Sequence, residues 1–151
     1  MQGSLAVTGE LEVGGAISVR EALTGGALDI GGSLEARRAI FSGSVEVGGT
    51  VSTQEGLKAS RIRLRRKSKA RGPLVGESVE LERGSKVEDV YGGTVSLDEK
   101  AEAGRVFGAH VRLRDGASAD EVTFTQWVVI DTGAQVRTPP RKVDTLPPFP
   151  L

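Results

Sequence analysis

The chain has 151 residues, in which 20 Lys and Arg balance 20 Asp and Glu, and it holds 21 glycines but six aromatic residues. It has no cysteine for disulfides or thiolate metal sites, no asparagine for N-glycosylation, and a single histidine, His110, which excludes a multi-histidine metal site within one chain. No apolar run approaches the ~18 residues of a membrane-spanning helix, and the N-terminus lacks the basic-then-apolar pattern of a signal peptide, so we expect a soluble cytoplasmic protein.

The first pattern along the chain is a repeat of 17 residues. The segments GELEVGG, GALDIGG and GSVEVGG begin at residues 9, 26 and 43 and align without gaps. The apolar-x-apolar pair inside this motif continues along the chain at spacings of 16 or 17 residues. The eight pairs are Leu11/Val13, Leu28/Ile30, Val45/Val47, Ile62/Leu64, Val79/Leu81, Val95/Leu97, Val111/Leu113 and Val128/Ile130. Alternation with a period of two indicates a short strand with one buried face.

Each repeat contains two further short apolar pieces. In the first repeat they are Ile17/Val19 and Leu23, and in the second they are Leu34/Ala36 and Ile40. Three short strands and three corners every 16–17 residues predict an all-β fold, a triangular parallel β-solenoid of about eight coils. Glycine suits the corners, where a side chain would clash. A helix in a stretch such as LDEKAEAGR would break the register of the pairs on both sides.

The positive charge is concentrated in residues 61–71, RIRLRRKSKAR, which we call the basic segment. It carries seven basic residues and no acidic one. Stacking of the coils predicts Arg63 between Glu46 and Glu80 and Arg65 above Glu82, as ladders of opposite charge. The alternative is contact with an anionic partner through Arg61, Arg65, Arg66, Lys67, Lys69 and Arg71. We do not expect nucleic acid as this partner, because no aromatic residues are interleaved for base stacking.

Neither end of the predicted solenoid has a cap. At the C-terminal end, Phe124 takes an inward position that earlier coils give to Gly25, Ser42, Ala59, Gly76, Gly92 and Gly108. Uncapped coils expose an open core and unpaired backbone groups, which predicts end-to-end stacking into filaments. The predicted N-terminal interface consists of Leu5, Val7, Leu11 and Val13. The predicted C-terminal interface or cap consists of Phe124, Trp127, Val128, Val129, Ile130, Val136, Leu146 and Phe149.

Composition divides the chain into a β-helix domain, residues 1–137, and a Pro-rich tail, residues 138–151, with five prolines. Proline opposes sheet pairing and favours polyproline II. Two interpretations of the tail remain open. It is either mobile, or Leu146 and Phe149 pack on Trp127 and Val129 of the last coil or on a neighbouring subunit.

An outward apolar stripe is predicted on the third side of the coils. Its members are Thr24, Phe41, Lys58, Val75, Tyr91, Phe107 and Thr123. We interpret Val75, Tyr91 and Phe107 as a lateral contact between filaments or with a partner protein, because clustered exposed apolar side chains mark interaction surfaces. Ordinary packing along the ladder is the alternative.

The repeat text resembles the bactofilins, polymer-forming cytoskeletal proteins with a core of Gly-x-[Leu/Ile/Val]-x-[Val/Ala] strands. The matching segments, within residues 3–137, are GSLAVTGELEVGGAISV, GSVEVGGTVST and VELERGSKVEDVYGGTVSLDEKAEAGRVFGAHVRLRDGASADEV. The resemblance implies a single-stranded right-handed β-helix that polymerises with itself, without nucleotide, into scaffold filaments that usually lack polarity. Many members carry a short N-terminal membrane-targeting tail. This chain shows none, so we expect no membrane attachment without an adaptor. The outer face and the tail are candidate binding surfaces for other proteins.

Enzymes are the rival class, because hexapeptide-repeat acyltransferases and related carbonic anhydrases also form triangular coils. Their repeats run near ~18 residues, and their chemistry needs histidine as a base or metal ligand. Here His110 falls in an outward corner column, and GSVEVGGT lacks the lysine of a phosphate loop. We therefore expect neither an enzyme nor a cofactor. A β-helical binding scaffold acting as a discrete oligomer remains an alternative, and a hexapeptide-repeat-like transferase a remote one.

Overall fold

A computed structural model describes residues 5–144, and all regular secondary structure in this range is β-strand. The strands are β1 (Leu5–Ala6), β2 (Glu10–Val13), β3 (Ala16–Gly25), β4 (Ala27–Ile30), β5 (Ser33–Phe41), β6 (Ser44–Val47), β7 (Thr50–Leu64), β8 (Lys69–Arg71), β9 (Leu74–Leu81), β10 (Lys86–Val87), β11 (Asp89–Leu97), β12 (Glu102–Leu113), β13 (Ser118–Ile130), β14 (Gln135–Val136) and β15 (Arg141–Lys142). They form one 15-stranded parallel sheet that coils into a solenoid of about eight turns, which confirms the predicted all-β β-solenoid. No helix in the described range could cross a membrane.

Each coil contributes to three parallel ladders, which we call face 1, face 2 and face 3 in chain order from β2. Face 1 pairs the predicted positions in register, and its column is Leu11, Leu28, Val45, Ile62, Val79, Val95, Val111 and Val128. Face 2 begins with Ile17 opposite Leu34. Face 3 begins with Leu5 opposite Leu23 and continues through Val122 of β13 to β15. The eight predicted pairs are therefore confirmed as one ladder.

The core is a narrow column of aliphatic side chains. In β6 exposure alternates along the strand, and Val45 and Val47 are both 0% exposed. Polar groups that enter the interior are satisfied by the backbone, as where the buried Ser68 Oγ donates a 2.7 Å hydrogen bond to the Val47 carbonyl. Among the described residues, no buried side-chain nitrogen or oxygen lacks a hydrogen-bond partner. Such an interior leaves little room for a charge.

Glycine is required where successive corners between faces 1 and 2 stack. A Cβ on Gly32 would overlap the carbonyl oxygen of Gly15, and a Cβ on Gly49 would overlap that of Gly32. Gly15 lies at the start of the same column, and a Cβ there would meet nothing within 4 Å. The backbone of the preceding coil is thus what excludes a side chain at Gly32 and Gly49. Gly15 belongs to the first coil, and no coil precedes it within the described residues.

The repeat shifts at several corners, and the shift between faces 2 and 3 in the second coil corrects the sequence prediction. The register changes between Val19 and Ala22 on one side and between Ala36 and Arg38 on the other, so the second coil is shorter there by one residue. As a result Ala39, rather than the predicted Ile40, lies opposite Leu23.

The same shift moves Phe41 off the outer stripe. Phe41 lies opposite Gly25 and is 3% exposed, so its predicted place on the outer stripe is wrong. Its ring fits because Gly25 has no Cβ, whose position would lie 3.0 Å from the ring. Ile40 takes the outward position between Thr24 and Lys58, and Phe41 takes the inward position predicted for Ser42.

Candidate functional site

The N-terminal end of the solenoid is an open edge within the described residues. There, β1 pairs only with β3, and β2 pairs only with β4. The predicted residues Leu5, Leu11 and Val13 are half-buried and pack against the core with one side. Val7 is also half-buried, and its N–H donates to the Thr24 carbonyl at 2.8 Å. The structure thus brings the four predicted residues together on the first coil.

Three carboxylates stand at this end, on the outer side of face 1. The oxygens of Glu10, Glu12 and Asp29 all lie within 4.8 Å of one another, and we call these residues the acidic cluster. Sequence analysis missed it, although Glu12 and Asp29 share an outward column of neighbouring coils. Carboxylate oxygens suit hard cations such as Ca²⁺ or Mg²⁺, but these groups are mostly exposed to solvent. Their clear consequence is a concentration of negative charge at the N-terminal edge.

The C-terminal end exposes apolar side chains along the last stretch of face 1, residues 127–130, which we call the C-terminal edge. In the described range, this part of β13 pairs only with β12, while β14 and β15 cover the other two faces. The exposed fractions of Trp127, Val129 and Ile130 are 45%, 43% and 39%, and these are the exposed large hydrophobic residues of the described chain. An edge strand with free backbone groups and apolar side chains is a template for pairing with another chain.

The other predicted C-terminal residues lie beside this edge or outside the described range. Phe124, Val128 and Val136 are half-buried and pack against the core. Leu146 and Phe149 lie outside the described residues, so the prediction that they cover the edge stays a prediction.

The chain after residue 137 continues the solenoid for one more short strand. In β15, Arg141 pairs with Thr123 and Lys142 pairs with Phe124. The Val143 N–H donates to the Phe124 carbonyl at 2.9 Å. Residues 141–143 therefore extend face 3 beyond the boundary predicted from composition.

The outer stripe of face 3 holds a stacked aromatic pair. Tyr91 and Phe107 are half-exposed, with ring centroids 4.7 Å apart and an interplanar angle of 8°. Val75 occupies the predicted place but is 2% exposed, so the structure contradicts its role as an exposed contact. We attribute this burial to its longer neighbours, Lys58 and Tyr91, which flank it on the adjacent strands.

A shallow groove lies beside the stripe, at the corner between faces 3 and 1. Its volume is about 450 Å³, and it runs past Phe41 and Val75. The small residues Ala59 and Gly76 leave this space, and its charged lining residues are Lys58 and Glu77.

Two arginines of the basic segment form ion pairs, but diagonally rather than straight along the columns. Arg63 Nε lies 2.7 Å from Glu82, and Arg65 pairs with Glu46 and, at 3.5 Å, with Asp29. Hydrogen bonding to Glu82 raises the pKa of Arg63 above its ordinary value, and the bond to Glu46 does the same for the pKa of Arg65. The predicted register is confirmed, whereas the predicted partners are wrong, because long side chains reach across to the next outward column.

The other cations of the basic segment are arranged differently. Arg61, Arg66, Lys67, Lys69 and Arg71 are exposed and have no ion pair within residues 5–144. Lys67 adopts a positive φ of 59°, a conformation that costs a residue with a side chain about 1–2 kcal/mol.

Lys69 lies opposite Lys86 on the neighbouring strand. Lys86 Nζ lies 3.5 Å from a Glu102 oxygen, and this ion pair offsets the repulsion between the two lysines. Outside the segment, His110 lies in the predicted outward column between Thr94 and Trp127, with its ring 5.1 Å from the indole.

Comparison with family models, with curated proteins and with solved structures finds no match to this chain. Inference about its function therefore depends on the solenoid itself and on its two ends.

Proposed function

We propose that this chain is a bactofilin-like cytoskeletal scaffold protein that assembles end to end, without nucleotide, into filaments in the cytoplasm. The observation that carries the proposal is the C-terminal edge, where Trp127, Val129 and Ile130 are exposed on a strand whose outer side has no partner strand within residues 5–144. A second copy stacked on this edge would extend all three ladders at the ordinary ~4.8 Å strand spacing. The role is structural, and the repeat motifs that resemble bactofilins support it.

Stacking also offers the most direct way to cover the open core. Leu11 and Val13 at one end and Val128 and Ile130 at the other belong to the same two inward columns. In the interior the residues of these columns are almost fully buried, as for Val45 and Val47, both 0% exposed. Burial of apolar area contributes about 25 cal/mol per Å², so a joint that restores this burial at both ends favours assembly.

Electron microscopy of the purified protein tests the proposal. We expect filaments one solenoid wide, with or without added nucleotide and over a range of salt and protein concentrations. Discrete particles under all these conditions would contradict end-to-end assembly and favour the discrete oligomer.

A matched pair of glycine variants tests whether the N-terminal end is a joint. Gly32→Ala should fail to fold, because the new Cβ overlaps the Gly15 carbonyl. Gly15→Ala should fold normally in isolation, since nothing lies within 4 Å of the new Cβ, but should lose filaments because that space is where another copy stacks. Circular dichroism and electron microscopy on the same samples separate the two effects. Normal filaments from Gly15→Ala would show that this end makes no close joint.

The arrangement at Lys67 and Lys69 favours a second function, contact with an anionic partner. The positive φ of Lys67 lowers stability, and the exposed cations Lys69 and Arg71 lie on the same short strand without an ion pair within residues 5–144. A polyanion bound along this strand would pair with both side chains. Polyphosphate serves as a probe, and fluorescence anisotropy should show binding that weakens with salt and falls at least tenfold in Lys69→Gln/Arg71→Gln. The control for total charge is Arg37→Gln/Arg38→Gln, which also removes two positive charges and should bind nearly as well as the parent chain. Equal affinity of the Lys69→Gln/Arg71→Gln variant and the parent chain would contradict the site.

A further inference from the structure

Strands β1 and β15 would take the same position in a continuous stack of two copies. The described chain enters the solenoid on face 3 with β1 and reaches face 1 with β2. It leaves face 1 at residues 127–130, passes through β14 on face 2 and ends on face 3 with β15. If β2 of a second copy stacks on the C-terminal edge, its β1 precedes it by one face. That β1 then falls on Val122 and Thr123, where β15 already pairs Arg141 with Thr123.

The two strands differ in how well they suit this position. In β1, Leu5 belongs to the inward column of face 3, opposite Leu23, which is 0% exposed. Extending the β15 register back by one residue would place Pro140, which has no N–H to donate, opposite Val122. Both residues of β15 are exposed, so this strand adds little apolar burial to the last coil. Replacement of β15 by β1 of another copy would restore an aliphatic residue to the column.

The charges on face 1 distinguish the two ways of joining copies. Two N-terminal ends that meet through β2 would bring two acidic clusters together, and like charges repel. A head-to-tail joint instead continues the outward column that contains Arg112 and Val129 into Glu12 of the next copy. Arg112 has no ion pair within residues 5–144, and Glu12 would lie two coils away. The 3.5 Å contact between Arg65 and Asp29 shows that an arginine on this face spans two coils.

From these observations we propose that copies of this chain join head to tail, and that β1 of one copy displaces β15 from face 3 of the next. The filament is then polar, in contrast to the non-polar filaments that the bactofilin resemblance implies, and residues 138–144 compete with assembly. This inference rests on the proposed filament function, and it specifies the partner of each end.

Cysteine cross-linking tests the direction of the joint in a chain that has no cysteine of its own. Glu12→Cys and Val129→Cys are prepared separately, assembled alone and as a mixture, and oxidised. In a head-to-tail joint the two positions lie on adjacent strands, about 4.8 Å apart, within the range that a disulfide bridges. We expect the mixed 12–129 peptide as the main cross-link by mass spectrometry. Filaments that yield mainly 12–12 and 129–129 cross-links would overturn the polar joint and leave the filament proposal standing.

Truncation after Arg137 tests the displacement. If β15 competes with β1, the truncated chain should assemble at a several-fold lower critical concentration than the full chain, with the mixed cross-link retained. Circular dichroism checks that the truncated chain keeps its fold. A truncated, folded chain that assembles no better than the full chain, or less well, would overturn the displacement. Absence of filaments from every form, including the full chain, would instead refute the proposed function itself.

Discussion

A carboxylate placed at two positions of one inward column should separate folding from assembly. Val47 and Ile130 occupy equivalent positions of face 1, but Val47 is 0% exposed and Ile130 is 39% exposed. In Val47→Asp the new carboxylate lies between Ile30 and Leu64, which are also 0% exposed, and finds no cationic partner in the column. The two variants make a similar chemical change and differ in whether another coil covers the site.

The expected magnitudes differ enough to decide the outcome. Loss of a fully buried valine costs about 1.5–3 kcal/mol, and burial of an unpaired carboxylate adds several kcal/mol more. The sum is comparable to the whole stability of a domain, about 5–15 kcal/mol, so Val47→Asp should not fold. Ile130→Asp loses only part of a side chain's burial, about 1–2 kcal/mol, which lowers the melting temperature by roughly 2–8 °C in a chain of this size.

Thermal unfolding followed by circular dichroism gives the first readout, and electron microscopy gives the second. We expect Val47→Asp to lack a cooperative transition, and Ile130→Asp to fold but form no filaments. A Val47→Asp variant that melts within a few degrees of the parent chain would show that water or a counter-charge reaches this position, and would refute the claim that the inward column is dry. Filaments formed by Ile130→Asp as readily as by the parent would refute the C-terminal edge as a joint.

Three other predictions follow from single features of the fold. Gly49→Ala should prevent folding, as judged by circular dichroism, because its Cβ would overlap the carbonyl oxygen of the glycine one coil earlier. Lys67→Gly should raise stability by about 1 kcal/mol in a denaturant titration, because the neighbouring coil meets the same positive φ with Gly84; an unchanged or lower midpoint would contradict strain at this corner. Tyr91→Ser/Phe107→Ser should leave single filaments intact and abolish lateral bundles in micrographs, and persistent bundles would exclude the stripe as their contact.

Much of the solenoid could be predicted from the sequence, because the spacing of its apolar pairs indicates which residues of successive coils lie opposite one another. In face 1 the two apolar positions point inward and the residue between them points outward, so a slip of one residue would expose the whole column. That constraint explains why every pair from Leu11/Val13 to Val128/Ile130 lies where the spacing predicts. The apolar surface at the C-terminal end could also be predicted, since Trp127 and Val129 interrupt two outward columns that are mostly polar in the earlier coils.

Three features could be decided only by the tertiary structure. A corner can lose a residue without disturbing the alternation on either side, and this moved Phe41 from the outer stripe into the core. Long arginine side chains reach beyond the residue directly opposite, so register alone did not identify Glu82 as the partner of Arg63. The overlap of β1 and β15 depends on the face at which the described chain enters and leaves the stack. Sequence by itself thus determined the period and the inward residues of face 1, because burial constrains that ladder in every repeat, whereas corner lengths, side-chain partners and the fit of the two ends depend on distances in space.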